Sequence, residues 1–430
     1  MPILSRGSSS SHESQLEGAS PKSFVSILVY SWLIHPVFAI PKTMRAAVYR
    51  GANDLRIETV PVPRIGPGEL LVKVAVCGVC PTDIKKIQYG TVPPPRIFGH
   101  ETAGTIVRVG GRVRSFRFGD RVALHHHVPC LECHSCRHRA FAQCAQYKRT
   151  GVTAGFEPAG GGFAEFVRVL PFALPGVVKI PARNSFEEGA MLEPVNTVLK
   201  AVRRLALLRG DAVLVAGQGP IGLMFTRLLQ LEGMKVLATD LLESRLKLAR
   251  QFGAGRTFRS RARANPSPGE TPPSPHRMGR GQGEGSAIKV RRSRLELHCS
   301  VPNQLSTLTA RLTKNRGLDA AIIAVPSDAV AREAQQLLRG GGQVLLFAHT
   351  RRGQQFELDP AAVCVDEKDL IGSYSADLTL QREVARLVFS RRLDVRPLVT
   401  NRFALEETVE AIRLAGTPTP ESLKIVVSPG

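Results

Sequence analysis

Aromatic residues make up only 6% of the chain, and no stripe of them runs beside its basic residues. A platform for stacking the bases of single-stranded nucleic acid is therefore not expected. Acidic residues are scarce as well: 36 Asp and Glu stand against 58 Lys and Arg, a formal net charge of +22. Long hydrophobic runs are missing too. The most apolar stretch, residues 24–40, is interrupted by His35 and Pro36. It falls short of the ~20 residues of a membrane span and lacks the small-residue cleavage site of a signal peptide. No membrane partner is expected, a cytoplasmic location is, and residues 1–43 read as an N-terminal extension without a fold of its own. That extension is either an upstream start of translation or a targeting segment. No internal repeat is present.

What remains is a chain of 430 residues, 43% hydrophobic and 22% charged. Those are globular proportions, and the length suits two or three domains. The basic surplus is uneven. Ten Lys and Arg against Glu270, Glu284 and Glu296 fall within residues 256–300, a stretch rich in Pro, Gly and Ser. Such a composition cannot supply a core, so it reads as a low-complexity insert. A basic arm of this kind is what a non-catalytic nucleic-acid-binding protein would use, and that reading stands as one alternative.

From Met44 to about residue 181, apolar and polar residues alternate between Gly and Pro turns, the period-two pattern of β-structure. From Ser185 the period changes to 3.6, and short apolar strands at 211–217, 235–240, 319–325 and 343–348 alternate with helices at 220–232, 243–252 and 329–339. This alternation predicts a parallel sheet covered on both faces. The tail, 376–430, returns to mixed structure and ends in a strand-like segment.

Three motifs carry chemistry. Cys130, Cys133, Cys136 and Cys144 lie within fifteen residues. Four thiolates this close can close a tetrahedral shell around Zn2+, leaving no open position, as a structural site requires; disulfides are the other possibility. Second, Gly217, Gly219 and Gly222 form G-x-G-x-x-G around Pro220 and Ile221, between a strand and a helix, and Asp240 ends the next strand. The glycines permit a tight turn, close approach to a pyrophosphate and close helix packing, while Asp240 favours the ribose hydroxyls of NAD and repels the extra phosphate of NADP. Arg245, in the following helix, is a further cofactor candidate. Third, Cys80, His100 and Glu101 or Glu193 offer sulfur, nitrogen and oxygen donors suited to a zinc with one open position, and Thr82 could carry a proton from an alcohol.

The order of Cys80-x-Thr82-Asp83, Gly99-His100-Glu101, the four cysteines at 130–144, the segment 160–167, Glu193-Pro194, the glycine motif and Asp240 resembles the zinc-dependent medium-chain alcohol dehydrogenase superfamily. Within it, the match is to the branch of sorbitol, threonine and glucose dehydrogenases, over nearly all of 44–430. The resemblance implies an α/β protein: a GroES-like β-rich catalytic domain at 44–198, a Rossmann doubly wound parallel-sheet domain at 199–370 and a return to the catalytic domain at 371–430. It further implies that Cys80 and His100 are catalytic-zinc ligands, that Glu101 is a direct or outer ligand, and that Glu193 replaces a third ligand cysteine. Thr82 matches the proton-relay hydroxyl and Thr197 the nicotinamide contact. His126 and His127, with His125 before them, resemble substrate-pocket positions. Where many relatives place a relay histidine, this chain has Lys85.

The implied reaction is reversible hydride transfer between NAD and a secondary alcohol, a polyol, sugar or hydroxy amino acid, by an oligomer of two or four chains. A zinc-independent quinone or enoyl reductase of the same superfamily is the other enzyme reading, although it lacks such a Cys/His/Glu set.

Overall fold

The computed structural model describes residues 39–125, 128–146, 161–260, 304–348 and 359–430. Three sheets organise them. Strands β1 (Thr43–Gly51) and β2 (Asp54–Pro61) form an antiparallel hairpin, joined on the other side of β1 by β4 (Arg96–Ile97).

A second sheet is built around β3 (Leu70–Gly78), with β5 (Glu101–Val109), β6 (Arg121–Ala123), β7 (Phe166–Val169) and β8 (Val178–Lys179). One edge of β3 pairs with β5 throughout; its other edge is shared by β7 at the start and, at the end, by β16 (Lys424–Ser428). The C-terminal strand therefore lies against residues near position 78, and β15 (Val399–Ala404) flanks it in parallel.

The third sheet contains β9 (Ala212–Ala216), β10 (Lys235–Asp240), β11 (Arg256–Arg259), β12 (Leu318–Ile323), β13 (Leu338–Leu346) and β14 (Asp369–Gly372). All pairings are parallel in the spatial order β11-β10-β9-β12-β13-β14. That is the doubly wound order in which the crevice at the carboxyl ends of the first and fourth strands receives a dinucleotide. Strand β9 is buried at every position, as a strand covered on both faces must be.

The helix that links these units begins from a capping box. Ser185 Oγ accepts from the Glu188 amide at 3.1 Å, while Glu188 Oε2 accepts from the Ser185 amide at 2.7 Å. The short helix Phe186–Ala190 then leads into Leu192–Val202, whose Leu192, Val195, Val198, Leu199 and Val202 are buried. They join one apolar cluster with Val76 and Ala103 of the second sheet and Val213, Val215 and Ile322 of the third. Glu193 is carried into the interior by this helix.

The structure corrects the reading of 256–300 as an insert from its first residue. Arg256–Arg259 is a regular edge strand, in register from Leu237↔Arg256 to Asp240↔Arg259. The edge position explains it: with one side unpaired, Arg256 and Arg259 at the two ends of the strand stay exposed, while Phe258 between them packs against the core. Residues 261–303, with the remaining basic residues and Cys299, lie outside the described residues. A helix not foreseen in the sequence, Gln304–Thr313, follows them and buries Leu305. Among the described residues no helix is long and apolar enough to cross a membrane.

Candidate active site

Helix Pro81–Tyr89 starts at the point where β3 ends, with Cys80 as its N-cap. Pro81 supplies the helical φ without needing a partner for an amide, and Cys80 Sγ accepts from the Thr82 amide at 3.5 Å. His100 stands immediately before β5, after Gly99 at φ +97°, where a Cβ would sit 2.7 Å from Cys77 Sγ. Glu101 is the first residue of β5, paired with Gly78. Two strand ends thus bring Cys80, His100 and Glu101 together, with one donor atom of each within 4.8 Å of the others.

Asp83, buried one turn below Cys80, meets His100 Nδ1 with Oδ1 at 3.1 Å. This orients the ring and leaves Nε2 for a ligand. Burial opposes charge on His100, but Asp83 and Cys80 outweigh it and raise its pKa well above 6.5. Glu193, 6% exposed, is pushed up to about 7 by burial, with His100 pulling the other way and Glu101 adding to the rise. Its Oε1 lies 3.5 Å from Thr197 Oγ1, and among the described residues it is outside the three-donor group.

The donor chemistry fits a divalent cation. Sulfur, nitrogen and oxygen converge, and the buried Asp83 Oδ2 has no hydrogen-bond donor, while both Glu101 oxygens face the Lys424 ammonium. Cys80, Thr82, His100, Glu101, Glu193 and Thr197 all border a cavity of about 430 Å³. Lys85 borders it too, its pKa lowered by burial and partly restored by Cys80.

The cavity is also bordered by Pro220 and Ile221, which follow the glycine turn. Gly217 has φ +92°, and a Cβ there would meet Val325 Cγ1 at 2.4 Å. At Gly222 a Cβ would lie 1.7 Å from the Gly217 carbonyl oxygen, so helix Pro220–Leu231 can start this close to the strand only with glycine. Gly219 faces open space, the nearest atom to a Cβ being Arg245 Nη1 at 4.0 Å. A turn of this kind at a helix N-terminus fits a pyrophosphate. Pro220, Ile221 and Arg245 line the cavity, and the buried Arg245 Nε has no partner while its Nη2 reaches the Ser422 carbonyl at 3.4 Å. Asp240 is already engaged, each oxygen taking one amide: Gln218 at 2.7 Å and Leu242 at 2.9 Å. Each oxygen keeps a lone pair for a further donor.

The four cysteines form a separate lobe. Cys130, Cys133, Cys136 and Cys144 lie with their sulfurs within 4.8 Å of one another, at 3.5 Å for Cys133–Cys136, 3.7 Å for Cys144–Cys130 and 3.9 Å for Cys130–Cys136. Disulfide sulfurs would be about 2.05 Å apart. Zn–S bonds of ~2.3 Å put the sulfurs of a tetrahedron about 3.8 Å apart, which the lobe matches. Without a metal, burial and the neighbouring thiols push Cys136 up to about 12; a cation reverses that preference.

The chain matches the alcohol dehydrogenase GroES-like domain over residues 66–182, the span that carries Cys80, His100, Glu101 and the lobe. Sorbitol dehydrogenase of Bacillus subtilis (strain 168) is 28% identical over 396 residues, covering 91% of this chain and 98% of that protein. Sorbitol dehydrogenase of Bombyx mori is 28% identical over 376 residues, 86% of this chain and 94% of that protein. Among solved structures, 2R,3R-butanediol dehydrogenase from Bacillus subtilis superposes with a TM-score of 0.71 at 25% identity, over 90% of this chain and all of that one. The chain belongs to the zinc-dependent medium-chain alcohol dehydrogenase superfamily. The fold alone is also shared with an alcohol dehydrogenase from Thermotoga maritima, TM-score 0.75 at 21% identity.

Nine of the site candidates read from the sequence line one cavity: Cys80, Thr82, His100, Glu101, Glu193, Thr197, Pro220, Ile221 and Arg245; Gly217, Gly219, Gly222 and Asp240 are not among its lining residues. His125 instead is buried against Gly176, away from the cavity wall, and His126 and His127 lie outside the described residues. Two partners have roles that the sequence alone does not reveal. Asp83 is spaced from Cys80 so that both fall on one turn, yet nothing in the sequence says that it meets His100. Lys424 is a lone charge in an otherwise apolar strand, a signal in itself, yet nothing in the sequence says what it faces.

Proposed function

We propose that the chain is a zinc-dependent oxidoreductase that transfers a hydride between NAD and the carbon of a secondary alcohol, a polyol, sugar or hydroxy amino acid, to give the ketone. The observation that carries this reading is one cavity bordered both by a Cys/His/Glu donor set and by Pro220 and Ile221, which open the helix after the glycine turn. The sorbitol dehydrogenases among its relatives support the polyol class.

Cys80, His100 and Glu101 or Glu193 would hold the zinc, which supplies Lewis acidity that makes an alcohol easier to deprotonate, while NAD accepts the hydride. Asp83 keeps His100 in the tautomer that offers Nε2. Thr82 Oγ1, on the cavity wall, would take the alcohol proton toward solvent. Burial raises the pKa of Glu193, and a cation bound beside it would draw the carboxyl back toward the anion. Gly217, Gly219 and Gly222 would seat the pyrophosphate, with Arg245 beside it, Asp240 on the ribose and Thr197 on the nicotinamide. Apolar side chains such as Val79, Ile221 and Phe347 exclude water from the reacting carbon.

The division that goes with this function is a catalytic domain of 44–198 and 371–430 around a cofactor domain of 199–370, with zinc in the four-cysteine lobe as a structural ion. A dimer or tetramer in the cytoplasm completes the proposal. The test is NADH formation by zinc-loaded protein against polyols, sugars, threonine and simple secondary alcohols. Zinc-dependent turnover of one of them is expected; silence across the panel in folded, zinc-loaded protein would overturn the reading.

A further inference from the structure

Lys424 opens the C-terminal strand β16, and its side chain points into the interior at 7% exposure. Its ammonium donates to Glu101 Oε1 at 2.6 Å and to the Val79 carbonyl at 2.9 Å, and it also touches Glu101 Oε2. The Glu101 side chain is 2% exposed. The strand between them is cut away to admit the pair: a Cβ at Gly78 would fall 2.0 Å from Glu101 Oε2 and 2.9 Å from Lys424 Cε. The backbone closes the same arrangement, with the Val79 amide donating to the Ile425 carbonyl at 2.9 Å. Lys424 therefore touches the residue before Cys80 and the residue after His100.

We propose that Lys424 is a positioning residue of the candidate metal centre, holding the Glu101 carboxylate beside Cys80 and His100 and sharing its charge with the ion bound there. This rests on the reading that those three residues hold a metal. A carboxylate shared with an ammonium is a weaker donor than a free one. Without Lys424, Glu101 would be an unshared anion beside Asp83 and Glu193, and it would move fully onto the cation. The ion would then be held at least as tightly, but its ability to polarise an alcohol would fall.

The test uses full-length protein with Co2+ in the cavity and zinc retained in the lobe. Lys424→Met should shift the visible absorption of the cobalt and lower kcat about tenfold with little change in KM, and Lys424→Arg should restore both. An unchanged cobalt spectrum in Lys424→Met would overturn the proposal. Glu101→Gln leaves the Lys424 ammonium facing a neutral amide and the double variant Glu101→Gln/Lys424→Met removes both charges, so if Lys424 acts through the carboxylate their spectra should coincide. A further shift on adding Lys424→Met to Glu101→Gln would show that Lys424 does not act through Glu101, and this comparison decides the matter even if Lys424→Met alone fails to fold. Failure of the hydride-transfer reading would show separately, as wild-type protein without turnover whose cobalt spectra still differ as stated.

Discussion

The two donor clusters of this molecule are built in opposite ways. The lobe takes all four sulfurs from residues 130–144, and its own turns, with Leu131 at φ +66° and Arg139 at φ +57°, bring them together. The cavity cluster draws Cys80 from a helix cap, His100 and Glu101 from the start of β5, Glu193 from a helix across the interface and Lys424 from the last strand. A local cluster needs only its own loop to be correct, whereas the distributed one reports on whether β3, β5 and β16 have paired and helix Leu192–Val202 has packed against them. The first is suited to holding a lobe together and the second to chemistry in the cavity it borders.

The largest effect should come from breaking the distributed cluster. Cys80→Ser or His100→Ala should abolish turnover and lower the zinc content from two ions per chain to one, with circular dichroism unchanged. A fully active Cys80→Ser variant would falsify the assignment. Cys133→Ser should do the converse: the lobe loses its ion, the melting temperature falls and activity declines only as the fold is lost, measured by calorimetry alongside zinc analysis. Cavity zinc retained at full occupancy at low temperature would sharpen the contrast; its loss together with the lobe's would erase it.

Gly222→Ala probes the glycine turn, which carries no metal. A Cβ 1.7 Å from a carbonyl oxygen forces the turn apart, so NAD affinity should drop by at least about tenfold while both zinc ions stay. Titration followed by NADH fluorescence would measure it. The smallest effect on the site is expected from a third charged cluster that holds no ligand. Asp319, 3% exposed, accepts from the Ala212 amide at 2.9 Å and pairs with Arg339 at 2.7 Å and with Arg316. Burial works against its charge, but Arg316 and Arg339 outweigh it and hold its pKa below the ordinary 3.8. A depressed carboxylate contributes stability above its unfolded pKa that is lost as pH falls through the folded one. Asp319→Asn should therefore cost about 2 kcal/mol near neutral pH and less in acid, with metal content and turnover unchanged. A change in zinc content would show that this cluster is coupled to the site after all.

Legibility in the sequence follows the same division. The lobe, the glycine turn and the Cys80, His100 and Glu101 positions stand out because each is defined by near neighbours, and local geometry sets what they can do. The parallel sheet was legible from apolar strands such as Ala212–Ala216. Strand Arg256–Arg259 was hidden because two arginines at an exposed edge look like the start of the basic stretch, and only pairing with β10 makes them a strand. Helix Gln304–Thr313 was hidden by its position directly after that stretch.

By itself the sequence determined which residues could act as donors and which turn could hold a phosphate, since spacing within a few residues controls local backbone and side-chain direction. Only the tertiary structure decided that Asp83 orients His100, that Asp240 spends both oxygens on backbone amides and that Lys424 meets Glu101 from 323 positions away. Those contacts depend on how strands pair and sheets pack, and pairing across such separations is set by the burial of whole apolar faces, which no short motif encodes.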